Sequence, residues 1–335
     1  MDIFPKQTSI RGIDNKSLKP LIKWAGGKTR LNPQLLQITD IALKLLKIEK
    51  FNYYEPFFGG GALFFDLHKN NKINFSHIND IIPHLISFYE TVARKDWLIE
   101  LFNEIESLSN NFEKGDQKQV YGSAKENTGW VKEFNELWTG KHPRNKEEII
   151  KSASLFFVLN KTGFNGMFRL NKDGKFNIPK GDTKKINFND SMKKNFEDVS
   201  SVLSKTLINC GSYEAILPPL NDIDKNVSFI YLDPPYIPDS KTADFTDYSK
   251  EGFKEKDHDR VASVFHQLVD DGYKVVLSNN SNLSSKEKYA NSNKVFAYEV
   301  QVSRAIAKTT KGKRPPSKEL LVSSFNLDAL HLERV

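Results

Sequence analysis

The run Phe229-Ile230-Tyr231-Leu232 is apolar, β-branched and aromatic, and it stops at Asp233-Pro234-Pro235-Tyr236. An uninterrupted apolar run of this kind reads as a strand buried on both faces. The two prolines cannot continue a ladder, so the strand ends there. One carboxylate and one aromatic ring are thereby presented on a stiff turn at the carboxyl end of a strand, where open α/β sheets bind ligands. Proline also removes N–H donors, so the turn offers bare carbonyl oxygens. A carboxylate, a fixed carbonyl and a flat ring suit a flat group bearing an amino function, such as a nucleobase. An ordinary strand-ending turn uses the same residue types, so the other motifs must decide.

Two glycine-rich stretches precede it. Pro20-Leu21-Ile22-Lys23-Trp24-Ala25-Gly26-Gly27-Lys28-Thr29 has the look of a phosphate loop, but Walker spacing needs glycine where Ile22 stands, so an NTPase is rejected. Its glycines still let backbone approach a ligand, with Trp24 and Lys28 alongside. A structural turn before a helix over 31–48 is the plainer reading. Phe51 to Phe65 reads as strand, glycine turn and helix, the first βα unit of a nucleotide-type fold. Phe64 occupies the place of the third glycine of the dinucleotide fingerprint, which disfavours NAD. A second strand over 73–78 ends in Asn79-Asp80. Asp80 lies at the distance from the glycines where an acid meets ribose hydroxyls, and it could equally cap the helix over 81–92.

The middle of the chain changes character. Helical periodicity marks 98–108, and Trp130, Phe134, Leu137 and Trp138 share one helical face. The stretch 110–127 is polar, and 141–151 is charged and reads as solvated. Asn160-Lys161-Thr162-Gly163-Phe164-Asn165-Gly166-Met167-Phe168-Arg169 leads to Asp173-Gly174, a hairpin signal. Such a basic hairpin could put Arg169 on a guanine edge, or simply be a solvated loop. Further strands are expected over 207–210, 274–278 and 320–325, with a helix over 261–268. A polar loop with Phe245, Tyr248 and Phe253 follows Tyr236. A basic loop holds Arg304, Lys308, Lys311, Lys313, Arg314 and Lys318, with phosphate contact as its functional reading.

With 335 residues, 39% hydrophobic and 12% aromatic, the chain can build one large α/β domain, or one carrying an insertion. The net charge of +7 favours a polyanionic partner. The single cysteine, Cys210, excludes a disulfide framework and stands apart from every motif. No His/Cys cluster is present, so no metal is expected. Neither a signal-peptide core nor a bilayer-length apolar run is found, which fits a cytoplasmic protein that meets no membrane.

Taken in order, LIKWAGGK, EPFFGGGALF, HIND, LNKTGFNGMFRLN with GKFNIPKG, IYLDPPY and the KTTKGKR…KELL tail resemble the Dam-type (D12 class, class alpha) DNA adenine-N6 methyltransferases. The similarity runs from Pro20 to Phe325. It implies a Rossmann-like S-adenosylmethionine-dependent methyltransferase sheet with an inserted helical and β-hairpin DNA-recognition domain. The implied boundaries are an N-terminal arm over 1–19, a catalytic domain over 20–92 and 196–335, and a target-recognition insertion over 93–195. The longer, polar 110–151 segment departs from the shorter members. The resemblance implies S-adenosylmethionine as cofactor and double-stranded DNA as partner, with or without a cognate restriction endonuclease. Position by position, it gives Trp24, Lys28, Phe57, Gly59, Gly61, Asp80 and Asp233 to the cofactor, and Asp233, Pro234 and Tyr236 to catalysis. Lys23, Met167, Arg169 and Pro179 fall where members reading GATC contact bases. The implied reaction flips adenine out of the duplex and methylates its amino group directly. Rival substrates are cytosine N4, RNA or a protein glutamine amide; a non-catalytic DNA binder is the rival from another class.

Overall fold

The computed structural model describes residues 18–140, 142–218, 222–237, 253–302 and 317–335. Eight strands form one mixed sheet in the order β3-β2-β1-β4-β5-β7-β6-β8. They are β1 (Phe51–Glu55), β2 (Ile73–Asp80), β3 (Leu207–Cys210), β4 (Ser228–Leu232), β5 (Lys274–Asn280), β6 (Phe296–Val302), β7 (Ser317–Ser323) and β8 (Glu333–Arg334). The first five run parallel; β7 pairs antiparallel with β5, and β6 pairs antiparallel with both β7 and β8. All five residues of β4 are buried, as its unbroken apolar run requires.

Chain order leaves β1 toward β2 and β3 on one side and toward β4 and β5 on the other. The strand order therefore reverses between β1 and β4. A crevice opens outside the carboxyl ends of strands at such a switch point. The glycine turn after β1 and the Asp233 turn after β4 lie together at this place.

Helix α1 (Asn32–Leu46) starts at a proline and ends at Lys47 in the left-handed region, φ 57°. Helix α2 (Ala62–Lys69) follows Gly61, and α3 (Pro83–Ala93) again starts at a proline. Helices α4 (Leu98–Lys114), α5 (Gln117–Tyr121), α6 (Gly129–Trp138), α7 (Lys146–Thr162) and α8 (Asp190–Leu203) come between β2 and β3, and α9 (Glu255–Asp270) between β4 and β5. Helix α7 is buried on most sides because it packs on α3, α4 and α6. One apolar cluster joins Leu101, Phe112, Trp130 and Phe157 of these helices to Phe58, Phe64 and Tyr89 beside the sheet.

Several elements depart from the sequence reading. The loose arm expected over 1–19 is fixed at its end: Leu18 is buried, and the Lys19 backbone exchanges hydrogen bonds with the Asn195 side chain. Residues 1–17 of the arm lie outside the described residues. The charged 141–151 stretch is largely exposed over 142–147, as its charges require, and from Lys146 it forms the first turns of α7. Asn145 caps that helix, Glu147 and Glu148 favour its N-terminus, and Lys151 reaches Glu104 at 2.8 Å. Strand β6 has no counterpart in the sequence reading. The hairpin is irregular, with isolated bridges at Gly163 with Lys180 and at Leu170 with Phe176.

Candidate active site

The carboxyl ends of β1, β2 and β4 and the Trp24–Lys28 loop enclose a cavity of about 520 Å³. Its floor is the glycine turn. Gly59 has φ +51°, and a Cβ there would stand 2.7 Å from Cδ1 of Trp24. Gly61 has φ +67°, and a Cβ would meet the Phe58 ring at 2.5 Å. Both positions therefore demand glycine on conformational and steric grounds.

Asp80 sits between the glycine turn and the start of α3. Its Oδ2 accepts the Gly59 N–H at 2.9 Å, and its Oδ1 accepts the Ile82 N–H at 3.0 Å, just ahead of α3. Burial pushes its carboxyl up to about 6, against the pull of those backbone donors. The carboxyl also borders the cavity. Asn79, inside HIND, has no role of its own read from the sequence. Buried, it donates to the carbonyls of Pro56 and Gly211 and ties the ends of β1 and β3 to β2. Glu55 opens the EPFFGGGALF stretch, with no role of its own read from it. It lines the cavity, accepts the Tyr53 hydroxyl at 3.0 Å, and has its carboxyl raised by burial.

Asp233 stands opposite. Its Oδ1 accepts from Lys28 Nζ at 2.5 Å and from Ser278 Oγ at 2.9 Å; among the described residues no hydrogen bond reaches Oδ2. Its side chain keeps 19% of its surface accessible, so the carboxyl is walled by protein yet opens on the cavity. Burial raises its pKa and Lys28 pulls it down, with burial the larger effect. Ser278 is held in turn by the Tyr231 hydroxyl at 2.8 Å. Asn279 grips the turn itself, accepting the Ile237 N–H and donating long bonds to the carbonyls of Pro234 and Pro235, 3.4 and 3.3 Å. The Tyr236 hydroxyl donates to Glu319 (2.7 and 2.6 Å to its two oxygens), and Lys28 Nζ lies 4.5 Å from the ring centroid. No sequence pattern marks Ser278 or Asn279, and Glu319, though within KELL, has no role legible there, because each acts across a strand-to-strand distance.

On the far side of the cavity, Phe57 stacks on Tyr213 at 5.0 Å and meets Phe253 edge-on at 6.3 Å. The buried Tyr213 hydroxyl finds no hydrogen-bond partner among the described residues. Cys210, expected to stand apart, instead pairs in register with Asp80. Its thiol is pushed up to about 11, by partial desolvation first and then by Asp80.

A second group of residues adjoins the first. The Trp24 ring, 18° from parallel, stacks on Phe168 at 6.1 Å. The buried Asn160 accepts the Lys23 N–H at 2.9 Å and donates to the carbonyls of Lys23 and Gly166 at 2.8 and 2.9 Å. That clamp joins the glycine loop to the hairpin and leaves the Lys23 side chain exposed. The Phe164 N–H bonds the Pro179 carbonyl, and Met167 follows half-buried. Arg169 is exposed, with Nε donating to Asn177 at 3.0 Å. Phe164 is 51% exposed, and Asn165 beside it holds φ +55°, uncommon outside glycine. Of the basic loop, only Lys318 is described. It sits in β7, its side chain half-exposed and ion-paired to Glu299. Arg304, Lys308, Lys311, Lys313 and Arg314, with Phe245 and Tyr248, lie outside the described residues.

A family model of the D12 class N6 adenine-specific DNA methyltransferases matches residues 24–306. The chain belongs to that family. It is similar to the Type II methyltransferase M.MjaIII of Methanocaldococcus jannaschii, 35% identical over 79% of this chain and 86% of that protein. It also resembles the Type II methyltransferase M1.LlaDCHI of Lactococcus lactis subsp. cremoris, 30% identical over 92% and 96%. The DNA adenine methylase of Escherichia coli K12 is 30% identical over 91% of this chain and 95% of its own. This D12 methyltransferase is therefore an enzyme that methylates adenine in DNA at N6. Among the described residues it has no group of three or more His, Cys, Asp or Glu poised for a metal, and no helix long and apolar enough to cross a membrane.

Proposed function

We propose that the enzyme takes a methyl group from S-adenosylmethionine and delivers it to a flipped-out adenine in a short duplex site, GATC. The observation that carries the reading is the pairing, across one cavity, of the Gly59–Asp80 cradle with the Asp233–Tyr236 turn. The residues fit the cofactor. Gly59, with no side chain, lets the Trp24 ring close directly on the glycine turn at the cavity wall, and Asp80 offers a carboxylate to ribose hydroxyls. The Tyr213 hydroxyl, unpartnered among the described residues, stands ready for a polar edge. Trp24, Lys28, Phe57, Gly59, Gly61, Asp80 and Asp233 would hold it. The cofactor supplies a sulfonium-activated methyl.

The chain's own residues do the rest. A stacked adenine cannot reach the cavity, and extruding it costs roughly a few kcal/mol. Stacking on Tyr236 returns on the order of 1–3 kcal/mol. The amino lone pair of adenine is delocalised into its ring and nucleophilic only weakly. Asp233 Oδ2 and the Pro234 carbonyl accept its two N–H bonds, drawing the nitrogen toward tetrahedral geometry. The carboxylate then stabilises the positive charge that grows on the nitrogen. Lys28, now on Oδ1, keeps Asp233 ionised and leaves Oδ2 for the base.

Asp233 works as an acceptor only when deprotonated, so the rate falls as pH drops through its pKa. Burial raises that pKa, and Lys28 holds it down. Lys28→Met is expected to move the acidic limb of the kcat profile upward by about 1–3 pH units, the usual reach of a neighbouring opposite charge. An unmoved limb would show that Lys28 does not govern the ionisation of Asp233.

Base recognition is assigned to Lys23, Met167, Arg169 and Pro179, on the hairpin and the loop that Asn160 clamps to it. The exposed Phe164, beside a strained Asn165, is suited to enter the base stack where adenine leaves. Phe164→Ala should change thermal stability by no more than about 0.5 kcal/mol, as surface substitutions do. DNA affinity should fall about tenfold, within the roughly 1–3 kcal/mol of a base–aromatic stack. A competition gel-shift measures the second quantity, and unaltered affinity would remove Phe164 from the interface. Relatives named as Type II methyltransferases and as DNA adenine methylases fit a role beside a restriction endonuclease or alone.

The deciding experiment is incubation of unmethylated DNA with the purified enzyme and labelled S-adenosylmethionine, followed by modification-sensitive sequencing. N6-methyladenine confined to GATC is the expected result. Methylation at another sequence would keep the chemistry and void the four base contacts.

A further inference from the structure

We propose that Glu319 is a positioning residue for methyl transfer, holding through the Tyr236 hydroxyl the ring face on which the target adenine rests. The inference deepens the reading above, since it takes Tyr236 to be the stacking platform.

Tyr236 follows two prolines but lies in neither helix nor strand. Asn279 grips the backbone on either side of it, at Pro234, Pro235 and Ile237, yet nothing in that grip sets the rotation of the ring. Glu319 constrains the ring at its hydroxyl. It sits on β7, between Asn280 of β5 and Val300 of β6, with backbone on both sides locked in the sheet. Glu319 is 7% exposed, next to a stretch buried from Leu320 to Ser323. An acid at such a position costs stability unless it is paired. The Tyr236 hydroxyl donates to it at 2.7 and 2.6 Å, and Lys28 Nζ lies 4.5 Å from the centre of the same ring. The ring is thus fixed at its hydroxyl by an anion and faced by a cation.

The arrangement has an electronic consequence. A phenol that donates to a carboxylate gains electron density in its ring. The ring face then attracts positive charge more strongly. Adenine is neutral on arrival and becomes cationic as its amino group accepts the methyl. The attraction therefore grows toward the transition state, which is the kind of interaction that raises kcat. If Tyr236 only stacked, phenylalanine would serve as well, and no buried acid would be needed to meet its hydroxyl.

The test uses the purified enzyme, unmethylated genomic DNA and tritiated S-adenosylmethionine. Glu319→Gln keeps the shape and removes the charge. It is expected to lower kcat about 10- to 100-fold, the range carried by a hydrogen bond to a charged group. The KM for DNA and the cofactor Kd should stay within about twofold, since neither ground-state interaction depends on the charge. Tyr236→Phe should cost about the same, and the double variant no more than either single one, because both break one link. Wild-type kcat in Glu319→Gln, or additive losses in the double variant, would overturn the proposal. A parallel loss of cofactor affinity and thermal stability would overturn it too, reducing Glu319 to a structural residue. Failure of the wild-type enzyme to methylate adenine would instead overturn the underlying reading, and it is seen before any variant is made.

Discussion

Asp233→Asn should reduce single-turnover methylation by roughly 10²- to 10⁴-fold while DNA binding stays within about threefold of wild type. Asparagine retains an oxygen for Lys28 and Ser278, so the two bonds now made to Oδ1 can persist. The second position is different. Where the carboxylate offers Oδ2, the amide offers N–H donors or a neutral oxygen. An N–H facing the adenine amino group repels it, and a neutral acceptor does little for the charge that develops there. Lys28 is 7% exposed, so removing its counter-ion also leaves an ammonium poorly compensated. Asp233→Ala would compound that cost with a cavity, which is why the isosteric change is the sharper probe. Single-turnover methylation and a gel-shift on the same preparation measure both quantities. Turnover within about tenfold of wild type would remove Asp233 from the chemistry. Undiminished DNA binding with no turnover in the wild type would instead favour the non-catalytic reading.

The parts legible in the sequence are those whose causes are local. Strands β1, β2 and β4 carry apolar and aromatic residues next to turn signals, and each is found close to its expected place. Helix α7 is harder to delimit because its first turns are charged. Those charges face partners on other helices, such as Glu104 and Glu133 for Lys151, which sequence adjacency does not reveal. Strand β6 hides for a related reason: Glu299, mid-strand and buried, reads as a breaker until Lys286 and Lys318 are seen beside it. Within the site, Asp233, Tyr236, Asp80 and Gly59 show their chemistry in their motifs, whereas Asn79 and Asn160, though inside HIND and LNKTGFNGMFRLN, and Asn279, outside any motif, give no sign of what they hold. Each satisfies backbone groups remote in sequence, and only the folded chain supplies those groups. Cys210 looks isolated along the chain because its neighbour Asp80 is distant in sequence, and only the parallel pairing of β2 with β3 brings the two together.

Gly59→Ala is expected to lower cofactor affinity by at least about tenfold and to destabilise the fold by roughly several kcal/mol. Two effects act together. At φ +51° an L-residue carries a backbone cost of roughly 1–2 kcal/mol. The new methyl would stand 2.7 Å from Cδ1 and 2.9 Å from Nε1 of Trp24, so the indole must withdraw. Overpacking of that kind costs about 1–3 kcal/mol. Trp24 has little room to retreat, since its ring stacks on Phe168 and its neighbour Lys23 is clamped by Asn160. A turn that moves instead draws the Gly59 N–H from Asp80 Oδ2 and releases the carboxyl from the cavity wall. Either way, the strain falls on the contact between glycine loop, glycine turn and Asp80. Calorimetric titration with S-adenosylmethionine and a thermal melt of the same variant separate the two effects. Asn160→Ala is the control: it should weaken the hairpin's attachment to Lys23 and spare the Gly59–Asp80 bond. If Gly59→Ala binds cofactor as tightly as the wild type, the cradle is not where the cofactor lies, and the opposite wall at Phe57 and Tyr213 becomes the place to look.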